Sequence, residues 1–217
     1  MAISYNPSSV TSGLVLCLDA GNRKSYPSPF TGTTWTDLSG NGNTGTLING
    51  VGHNSGNGGS LVFDGSNDYV NFSTYNQPAY AITTSFSWNV WVFPTRNSNN
   101  DVIMGNRGGG ELVFTKLTTN SFEYHPTNLG VAMPLDVWQN VCVIKDQTNL
   151  YYYRNASLIA SATSLTTKVS TSFYIGGDPV ASEFFNSRVA QVSIYNRALT
   201  AAEIQQNYNS LKSRYLP

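Results

Sequence analysis

Charged side chains are scarce in this sequence: they make up 11% of its 217 residues, and twelve basic residues balance twelve acidic ones. Globular domains usually carry about 25% charged residues, so Asn, Ser and Thr must supply much of the polar surface. The lysines and arginines form no run or stripe, whereas a nucleic-acid-binding protein needs such a stripe to neutralise phosphates. We therefore expect no nucleic acid among the partners of this protein.

Long apolar runs are also absent. No stretch approaches the roughly 20 apolar residues of a membrane-spanning helix, and the opening MAISYNPSSVTSG lacks the basic and apolar regions of a secretory signal. The apolar run GLVLCL at 13–18 is short and predicts a β-strand. We expect no membrane association; the protein is exported by another route, works where it is made, or leaves the cell on an assembled particle.

Cysteine is rare as well. Cys17 and Cys142 lie singly inside apolar runs, and no Cys-x-x-Cys motif occurs. A chain of this length buries enough apolar surface to fold without disulfides, and zinc or redox motifs need paired cysteines. The sequence predicts two reduced, buried thiols.

Aromatic and turn-forming residues are abundant, with 13 Tyr, 10 Phe, 4 Trp and 19 Gly. Short apolar runs separated by turn residues predict strands at 13–19, 44–49, 60–64, 68–72, 85–94, 101–106, 111–116, 121–125, 138–146, 149–155, 157–162, 171–177 and 187–196. This series favours an all-β fold, a two-sheet antiparallel sandwich of the jelly-roll type. Trp88 and Trp91 have opposite parity within one strand, so we expect one in the core and the other facing outward or under a loop.

A single helix is predicted, at about 200–212. Thr200 and Glu203 have the spacing of a capping box. Ile204, Tyr208 and Leu211 then recur at i, i+4 and i+7. We expect this apolar face to pack on one of the sheets.

The segment DGSND at 64–68 contains the residue types of a calcium loop, a catalytic acid cluster and a tight turn. The spacing of an EF-hand does not follow it. Leu61 and Phe63 alternate before the segment, and Val70 and Phe72 alternate after it, which gives both flanking strands an inward face. We interpret the segment as the structural turn of a β-hairpin.

Seven motifs follow one another along the chain: GLVLCLDAG, WTDLSGNGNTGTLING, LVFDGSNDYVNF, SFSWNVWVFP, VWQNVCVIKDQTNLYYYRNASLIAS, FYIGG and SIYNRALTAAEIQQNYN. In this order they resemble the laminin G-like domains of the concanavalin A-like lectin/glucanase superfamily, from about residue 13 to residue 208. The resemblance implies two curved antiparallel sheets, whose concave face or rim binds sugars in many relatives.

The resemblance also implies calcium, which many relatives hold near the N-terminal strand. Asp19 and the loop with Asn41 and Asn43 match two of the contributors to that site. Relatives resemble DEVRIYNRAL at the last long strand, where this chain has AQVSIYNRAL, so Ala190 and Gln191 replace two carboxylates. Calcium at Asp19, Asn41 and Asn43 is therefore the one candidate cofactor, with a ligand set short of the charge that calcium prefers.

An enzyme is not expected. Glucan-cleaving relatives carry Glu-x-Asp-x-x-Glu on one strand, and retaining hydrolysis needs two carboxyl groups about 5 Å apart. The four glutamates, at positions 111, 123, 183 and 203, lack that neighbourhood, and no Gly-x-Ser-x-Gly motif occurs. His53 and His125 stand beside no nucleophile, and we interpret both as solvated loop residues.

Sugar binding needs an exposed aromatic ring beside hydrogen-bonding side chains. Relatives resemble LKLYVNG where this chain has LYYYRN at 150–155. Their register turns Tyr152 and Arg154 inward, although a buried guanidinium needs a partner, and it turns Tyr151 and Tyr153 outward. Tyr151 and Tyr153 are the predicted glycan-binding residues; the alternative is that they pack against a loop or a neighbouring subunit.

The chain is short and opens directly into the domain, an arrangement that resembles virion proteins of tailed phages. We predict an N-terminal arm or docking segment at 1–12 and a single domain at 13–217. The first hypothesis is a non-enzymatic virion protein, made in the host cytoplasm, which serves as capsid decoration, head fibre or tail component and displays a lectin-like domain. Its partners would be capsid or tail proteins and, weakly, host or environmental glycans, and a symmetric homo-oligomer is expected. The alternatives are a free-standing bacterial carbohydrate-binding protein and a divergent glycan hydrolase or lyase.

Overall fold

The computed structural model describes residues 8–27, 31–72, 85–96, 101–108, 111–118, 121–124, 127–163 and 172–216; positions 106–108, 111–118, 121, 123 and 127 are described by their backbone alone. The elements in chain order are β1 Leu14–Asp19, β2 Thr34–Trp35, β3 Gly45–Ile48, β4 Gly52–Asn54, a 3₁₀ turn Gly56–Gly58, β5 Ser60–Asp64, β6 Tyr69–Phe72, β7 Phe86–Pro94, β8 Asp101–Gly108, β9 Glu111–Thr118, β10 Ser121–Tyr124, β11 Thr127–Asn128, β12 Gln139–Asp146, β13 Asn149–Arg154, β14 Ser157–Thr163, β15 Ser172–Ile175, β16 Gly177–Asp178, β17 Glu183–Phe184, β18 Asn186–Tyr195 and α1 Ala201–Tyr215.

The strands form two large antiparallel sheets and one two-stranded ribbon. The first sheet has the order β14-β13-β12-β7-β18-β5-β4, with β1 paired to β18 beside this path. The second sheet has the order β11-β10-β9-β8-β15-β6-β3-β2, and the ribbon consists of β16 and β17. Two antiparallel sheets and a C-terminal helix confirm the predicted all-β jelly-roll sandwich.

Aromatic side chains fill the space between the two sheets. Trp88 of β7 is 1% exposed, and its ring centroid lies 5.0 Å from that of Phe86 and 6.0 Å from those of Tyr124 and Phe173. Full burial of one large apolar side chain contributes about 1.5–3 kcal/mol. The inward residues predicted from period-two alternation therefore form the main core.

The helix packs on the outer face of the first sheet. Thr200 caps it with both hydrogen bonds of the predicted capping box to Glu203, and the buried Ile204 lies on its apolar face. No helix within the described ranges is long and apolar enough to cross a membrane. The predicted helix is confirmed, with its last turn extended to Tyr215.

Trp91 lies on the face of β7 opposite to Trp88, beneath the helix. Its ring stacks on that of Tyr208 with a centroid distance of 5.7 Å and an interplanar angle of 12°. The ring of Tyr215 lies 4.6 Å from it on the same helix. The two tryptophans therefore have opposite faces, as predicted, and the helix rather than a loop covers Trp91.

Residues just before β1 lie along the helix. The amide of Val10 donates to Asn207 Oδ1 at 2.8 Å, and the Tyr195 hydroxyl donates to the Val10 carbonyl at 3.0 Å. Asn207 in turn donates to the Tyr195 hydroxyl at 3.0 Å. These bonds satisfy both backbone groups of Val10 and join it to β18 and α1.

The segment at 64–68 is a turn, as predicted, but the predicted hairpin is wrong. β5 ends at Asp64 in the first sheet, and β6 begins at Tyr69 in the second, so the segment is a corner between the layers. The amides of Ser66 and Asn67 donate to Asp64 Oδ1 at 2.8 and 3.3 Å, and such bonds lower the pKa of Asp64. Inward alternation on both sides is common to hairpins and corners, so the pattern cannot distinguish them.

The interpretation of His53 as a solvated loop residue is also wrong. It lies in β4, half-buried, with Nε2 3.1 Å from the carbonyl oxygen of Ala20 and its ring 5.5 Å from that of Tyr26. A strand of three residues is too short for its alternation to be recognised. His125 lies outside the described residues.

Both cysteines are free thiols, as predicted, but the predicted burial is confirmed for Cys142 only. Cys142 is 1% exposed and Cys17 is partly exposed. Burial, with smaller contributions from nearby carboxylates, raises the pKa of Cys17 to about 11. Neither thiol is poised to react as a thiolate near neutral pH.

Candidate functional site

A row of outward-facing side chains crosses the second sheet from its β2 edge. In the strand register Thr34 lies opposite Thr46, Thr46 opposite Asn71, and Asn71 opposite Tyr174. Residues directly opposite one another in antiparallel strands point to the same face. All four are exposed or half-buried, whereas the residues next to them along β3, β6 and β15 are buried. The row therefore lies on the outer face of the sandwich.

Tyr174 is the aromatic centre of this row. Its neighbour on β8 is Gly105, which has no side chain to cover the ring. On the other side the ring of Tyr69 meets it edge-on, with centroids 5.7 Å apart and an interplanar angle of 85°. Edge-to-face packing holds a ring in one orientation, so Tyr174 has an aromatic support on one side and a glycine on the other.

The β16–β17 ribbon borders the row. The ring of Phe184, in β17, lies 6.4 Å from that of Tyr69. Arg96 Nη2 donates to the Phe184 carbonyl at 3.0 Å and to Asp101 Oδ1 at 2.7 Å. Because Asp101 is fully buried in β8, this arginine ties the ribbon firmly to the second sheet.

No described residue forms a hydrogen bond with the polar side chains of this row. We call the surface formed by Thr34, Thr46, Tyr69, Asn71, Tyr174 and Phe184 the Tyr174 face. Among the described residues, the hydroxyls of Tyr69 and Tyr174 and the amide of Asn71 make no hydrogen bond to another side chain or backbone group. An aromatic ring beside free amide and hydroxyl groups offers a sugar both stacking and hydrogen bonding.

Sequence reasoning missed the Tyr174 face, although a signal for it exists. Tyr69 and Tyr174 each alternate with buried apolar residues along their strands, as Tyr151 and Tyr153 do. The alternation shows that a ring faces outward but not which strands lie side by side. Only the pairing of β6 with β15 brings the two rings together.

Tyr151 and Tyr153 lie on the outer face of β13, in the predicted register. Tyr152 between them is fully buried and stacks on Phe122, with centroids 4.3 Å apart. Tyr151 and Tyr153 are half-buried and pack against the apolar cluster beneath the start of the helix, which includes Val10, Tyr195 and Ile204. Their role in glycan binding stays a prediction.

Arg154 has the partner that the sequence alone did not identify. Its Nη1 donates to the carbonyl of Ala132 at 2.9 Å. The side chain is half-buried rather than enclosed, so its charge keeps contact with water.

Asp19, a predicted calcium ligand, binds an arginine of the helix. Arg214 Nη1 donates to Asp19 Oδ2 at 2.7 Å and Arg214 Nη2 to Asp19 Oδ1 at 3.0 Å. The same Nη2 donates to the carbonyl of Gly58 at 2.9 Å, and the amide of Gly21 donates to Asp19 Oδ1 at 2.9 Å. The positive charge next to the Asp19 carboxylate therefore comes from the Arg214 guanidinium.

Asn41 and Asn43 lie near the other end of β1. Their side-chain amides donate to the carbonyls of Leu14 and Val15, at 3.2 and 2.7 Å respectively. The loop that carries them is organised by Asp37, whose carboxylate accepts from the backbone amides of its neighbours, Asn43 among them at 3.0 Å. These asparagines therefore hold the loop against the first strand.

The structure does not bring the three predicted calcium ligands together. Val15 and Asp19 are four residues apart in β1, a distance of about 13 Å in a strand, and both oxygens of Asp19 already face Arg214. Within the described residues, no group of three His, Cys, Asp or Glu side chains could hold a metal ion. The donor set does not fit one calcium ion, and calcium binding itself stays a prediction.

The remaining glutamates and the ribbon aspartate do not form a catalytic pair among the described side chains. Glu203 Oε1 pairs with Arg197 Nη2 at 2.6 Å, and hydrogen bonds from Arg197 and from the backbone of Thr200 lower the pKa of Glu203 to about 2. Asp178 and Glu183 face each other across the ribbon, but Asp178 is fully buried and so out of reach of a substrate. The side chains of residues 111 and 123 lie outside the described part.

Solved structures with the same fold include several binding domains. Domain 4 of AbnA, an extracellular arabinanase from Geobacillus stearothermophilus solved with arabinotriose, is 16% identical over 91% of this chain and 98% of that chain, with a TM-score of 0.63. The receptor-binding domain of botulinum neurotoxin C/D mosaic serotype is 14% identical over 92% of this chain, with a TM-score of 0.70. Trypanosoma rangeli sialidase is 18% identical over 94% of this chain, with a TM-score of 0.64.

For several of these proteins the chain matches only part of their length. The chain spans 51% of the C/D mosaic binding domain, 50% of the serotype G binding domain and 34% of the sialidase. At such identities the likeness concerns the fold alone. No curated protein sequence is significantly similar to the chain.

A family model gives the closer assignment. The laminin G-like model described as "Concanavalin A-like lectin/glucanases superfamily" matches residues 64–205. This range runs from the corner between the sheets to the first turn of the helix and includes most strands of both sheets. Because the match covers more than half of the chain, the protein belongs to the laminin G-like family of the concanavalin A-like lectin/glucanase superfamily.

Proposed function

We propose that this protein is a non-enzymatic carbohydrate-binding protein and that its glycan binds to the Tyr174 face. The observation that carries the proposal is the geometry around Tyr174: an outward ring, braced edge-on by Tyr69 at 5.7 Å, with Gly105 on one side and the free amide of Asn71 on the other. A pyranose or furanose ring stacks its C–H groups on such an aromatic face.

The polar part of the face suits a neutral sugar. Asn71 offers two donors and one acceptor, and Thr34 and Thr46 continue the row with hydroxyls that both donate and accept. Sugar hydroxyls need this mixture of donors and acceptors. The arabinanase domain solved with arabinotriose, which this chain matches over 98% of that domain's length, supports the choice of a glycan as ligand.

The absence of catalysis is supported by the state of three described carboxylates. Asp19, Asp101 and Glu203 are each paired with an arginine within 2.7 Å. A glycosidase needs one carboxyl group free to donate a proton and a second free to act as nucleophile or base. Release of reducing sugar from β-glucans or arabinan by the purified protein would contradict this part of the proposal and favour the hydrolase alternative.

We expect Tyr174→Ala to weaken glycan binding at least tenfold. A free-energy loss of about 1.4 kcal/mol corresponds to a tenfold change in Kd, and a stacked aromatic ring at the centre of a binding site contributes at least this much. Tyr174→Phe keeps the ring and should retain most of the affinity. Isothermal titration with arabinotriose, preceded by a glycan array to find stronger ligands, measures the effect.

The double variant Tyr151→Ala/Tyr153→Ala serves as the matched comparison, because it removes two outward tyrosines from the other sheet. If Tyr174→Ala binds like the wild type and the double variant does not, the glycan site is the one predicted from sequence at Tyr151 and Tyr153. If the wild-type protein binds no glycan on the array, the proposed function is wrong.

We also propose that the domain is displayed on the virion of a tailed phage, as capsid decoration, head fibre or tail component. An exposed face that binds sugars would suit attachment to host or environmental glycans. Mass spectrometry of purified virions, with inspection of neighbouring genes for capsid and tail proteins, tests it. If the protein is missing from the virions, a free-standing bacterial carbohydrate-binding protein becomes the better hypothesis.

A further inference from the structure

Arg188 is a half-buried arginine on the outer face of the first sheet, on the strand β18. Its guanidinium carbon lies 3.8 Å from the centroid of the Phe93 ring and 5.5 Å from that of Trp138. In the strand register Phe93 lies opposite it on one side and Val62 on the other. Cation–π contacts of this kind hold a guanidinium in a defined orientation.

Among the described residues, none uses the hydrogen-bonding capacity of Arg188. Arg96, Arg197 and Arg214 each donate to a carboxylate. Arg188, in contrast, makes no hydrogen bond and no ion pair within 4 Å with any other described residue. Burial lowers the pKa of Arg188, and the negative charge of Asp136 partly offsets this effect. Asp136 therefore lies close enough for an electrostatic effect on the guanidinium but forms no ion pair with it. Five N–H donors in a fixed fork are left for a ligand.

Partly exposed apolar side chains border this guanidinium on both sides along the sheet. Val62 and Phe93 are half-buried, and Val137, next to Trp138, is 45% exposed. Beyond Val62 the next strand contributes Gly52, which adds no side chain. A ligand that reaches Arg188 can therefore lie against an aromatic ring and an aliphatic side chain at the same time.

We propose that Arg188, with Phe93 and Val62, forms a binding site for the carboxylate of an acidic saccharide, such as a uronic acid residue. The planar fork of the guanidinium matches a carboxylate in bidentate geometry, and the apolar surfaces beside it accept the C–H face of the sugar ring. The ligand class rests on the proposed carbohydrate-binding function, but the site lies on the opposite sheet from the Tyr174 face and is tested independently of it.

The probe is trigalacturonic acid, with its methyl ester as the uncharged counterpart, titrated into the full-length protein by calorimetry. We expect the acid to bind the wild-type protein and the methyl ester to bind at least about tenfold more weakly. Arg188→Gln should lower the affinity for the acid by at least about tenfold, and Arg188→Lys should restore only a small part, because an ammonium group cannot form the fork. The affinity should fall as the salt concentration rises.

Arg23→Gln is the charge-matched control, because Arg23 is an exposed arginine outside the group formed by Arg188, Phe93 and Val62. It should leave the affinity unchanged. Thermal melting of Arg188→Gln and Arg188→Lys shows whether each variant is folded; the lysine variant keeps a cation over the ring and serves if the glutamine variant does not fold.

Three results would overturn the assignment. The first is no binding of trigalacturonic acid to the wild type, and the second is equal binding by the wild type and Arg188→Lys. The third is tighter binding of an acidic peptide, lost in Arg188→Gln, which would make the ligand a protein carboxylate instead. Loss of arabinotriose binding in Tyr174→Ala is unaffected by any of these results, so the two sites can fail separately.

Discussion

Replacing Gly21 by alanine should cost the protein at least about 3 kcal/mol of its free energy of unfolding, because steric conflicts of this size exceed ordinary overpacking. A Cβ atom at Gly21 would lie 1.5 Å from the carbonyl oxygen of Gly58 and 2.4 Å from Arg214 Nη2. The obstacle is backbone, and that carbonyl is already bound by Arg214 at 2.9 Å. To make room for the new Cβ atom, the turn at 56–58 would have to move away from the turn after β1, and this movement would break the hydrogen bond between Arg214 and the Gly58 carbonyl.

Urea unfolding followed by tryptophan fluorescence measures the loss. Gly32→Ala is the matched control, since a Cβ atom there would meet nothing within 4 Å, and it should change the free energy of unfolding by less than about 0.5 kcal/mol. A Gly21→Ala variant as stable as Gly32→Ala would show that the two turns do not cross as closely as described.

Arg214→Ala should destabilise the fold by about 2 kcal/mol, between the values for an exposed and a fully buried ion pair. Arg214 binds both oxygens of Asp19 and the carbonyl of Gly58, so it joins the last turn of the helix to β1 and to the 3₁₀ turn. The Asp19 side chain is only 15% exposed, and it would keep its charge with less water to solvate it. For a chain of this length the loss corresponds to a fall in Tm of about 4–8 °C.

A double-mutant cycle isolates the pair. Asp19→Asn, Arg214→Ala and the double variant should show a coupling energy of at least about 1 kcal/mol. Independent, additive effects would mean that the ion pair contributes nothing, and that any loss in Arg214→Ala reflects the packing of the helix end against Trp91 and Trp138.

The same variants test calcium. We expect the Tm of the wild-type protein to be equal in millimolar calcium and in chelator, because Arg214 supplies the positive charge that the Asp19 carboxylate needs. A lower Tm in chelator would instead support the calcium site predicted at Asp19, Asn41 and Asn43. In Arg214→Ala the carboxylate of Asp19 is released, so any stabilisation by calcium should be larger there than in the wild type.

The strands and the helix were predictable because their signals are local. The spacing of Trp88 and Trp91 predicts that they lie on opposite faces of β7, as the structure shows. The capping-box spacing of Thr200 and Glu203 likewise predicts where the helix begins. A side chain's face within its own element depends on backbone geometry, which repeats every two residues in a strand and every 3.6 in a helix. Distant parts of the chain do not alter it.

The pairing of elements was not predictable in the same way. The corner at 64–68 has the local pattern of a hairpin, yet its two strands enter different sheets. Asp19 and Arg214 are 195 residues apart, and no local pattern marks one as the partner of the other. The ring of Tyr174 contacts that of Tyr69 only because β15 pairs with β6.

The sequence by itself therefore determined the all-β class, the terminal helix, the two free thiols and the family. The tertiary structure alone decided that an arginine faces Asp19 and that Tyr69 and Tyr174 share one face. It also decided that the Arg188 guanidinium lies over the Phe93 ring and makes no hydrogen bond to another described residue. The division has a physical cause: composition and periodicity act within one element, whereas a site is made by side chains that long-range strand pairing and helix packing bring together.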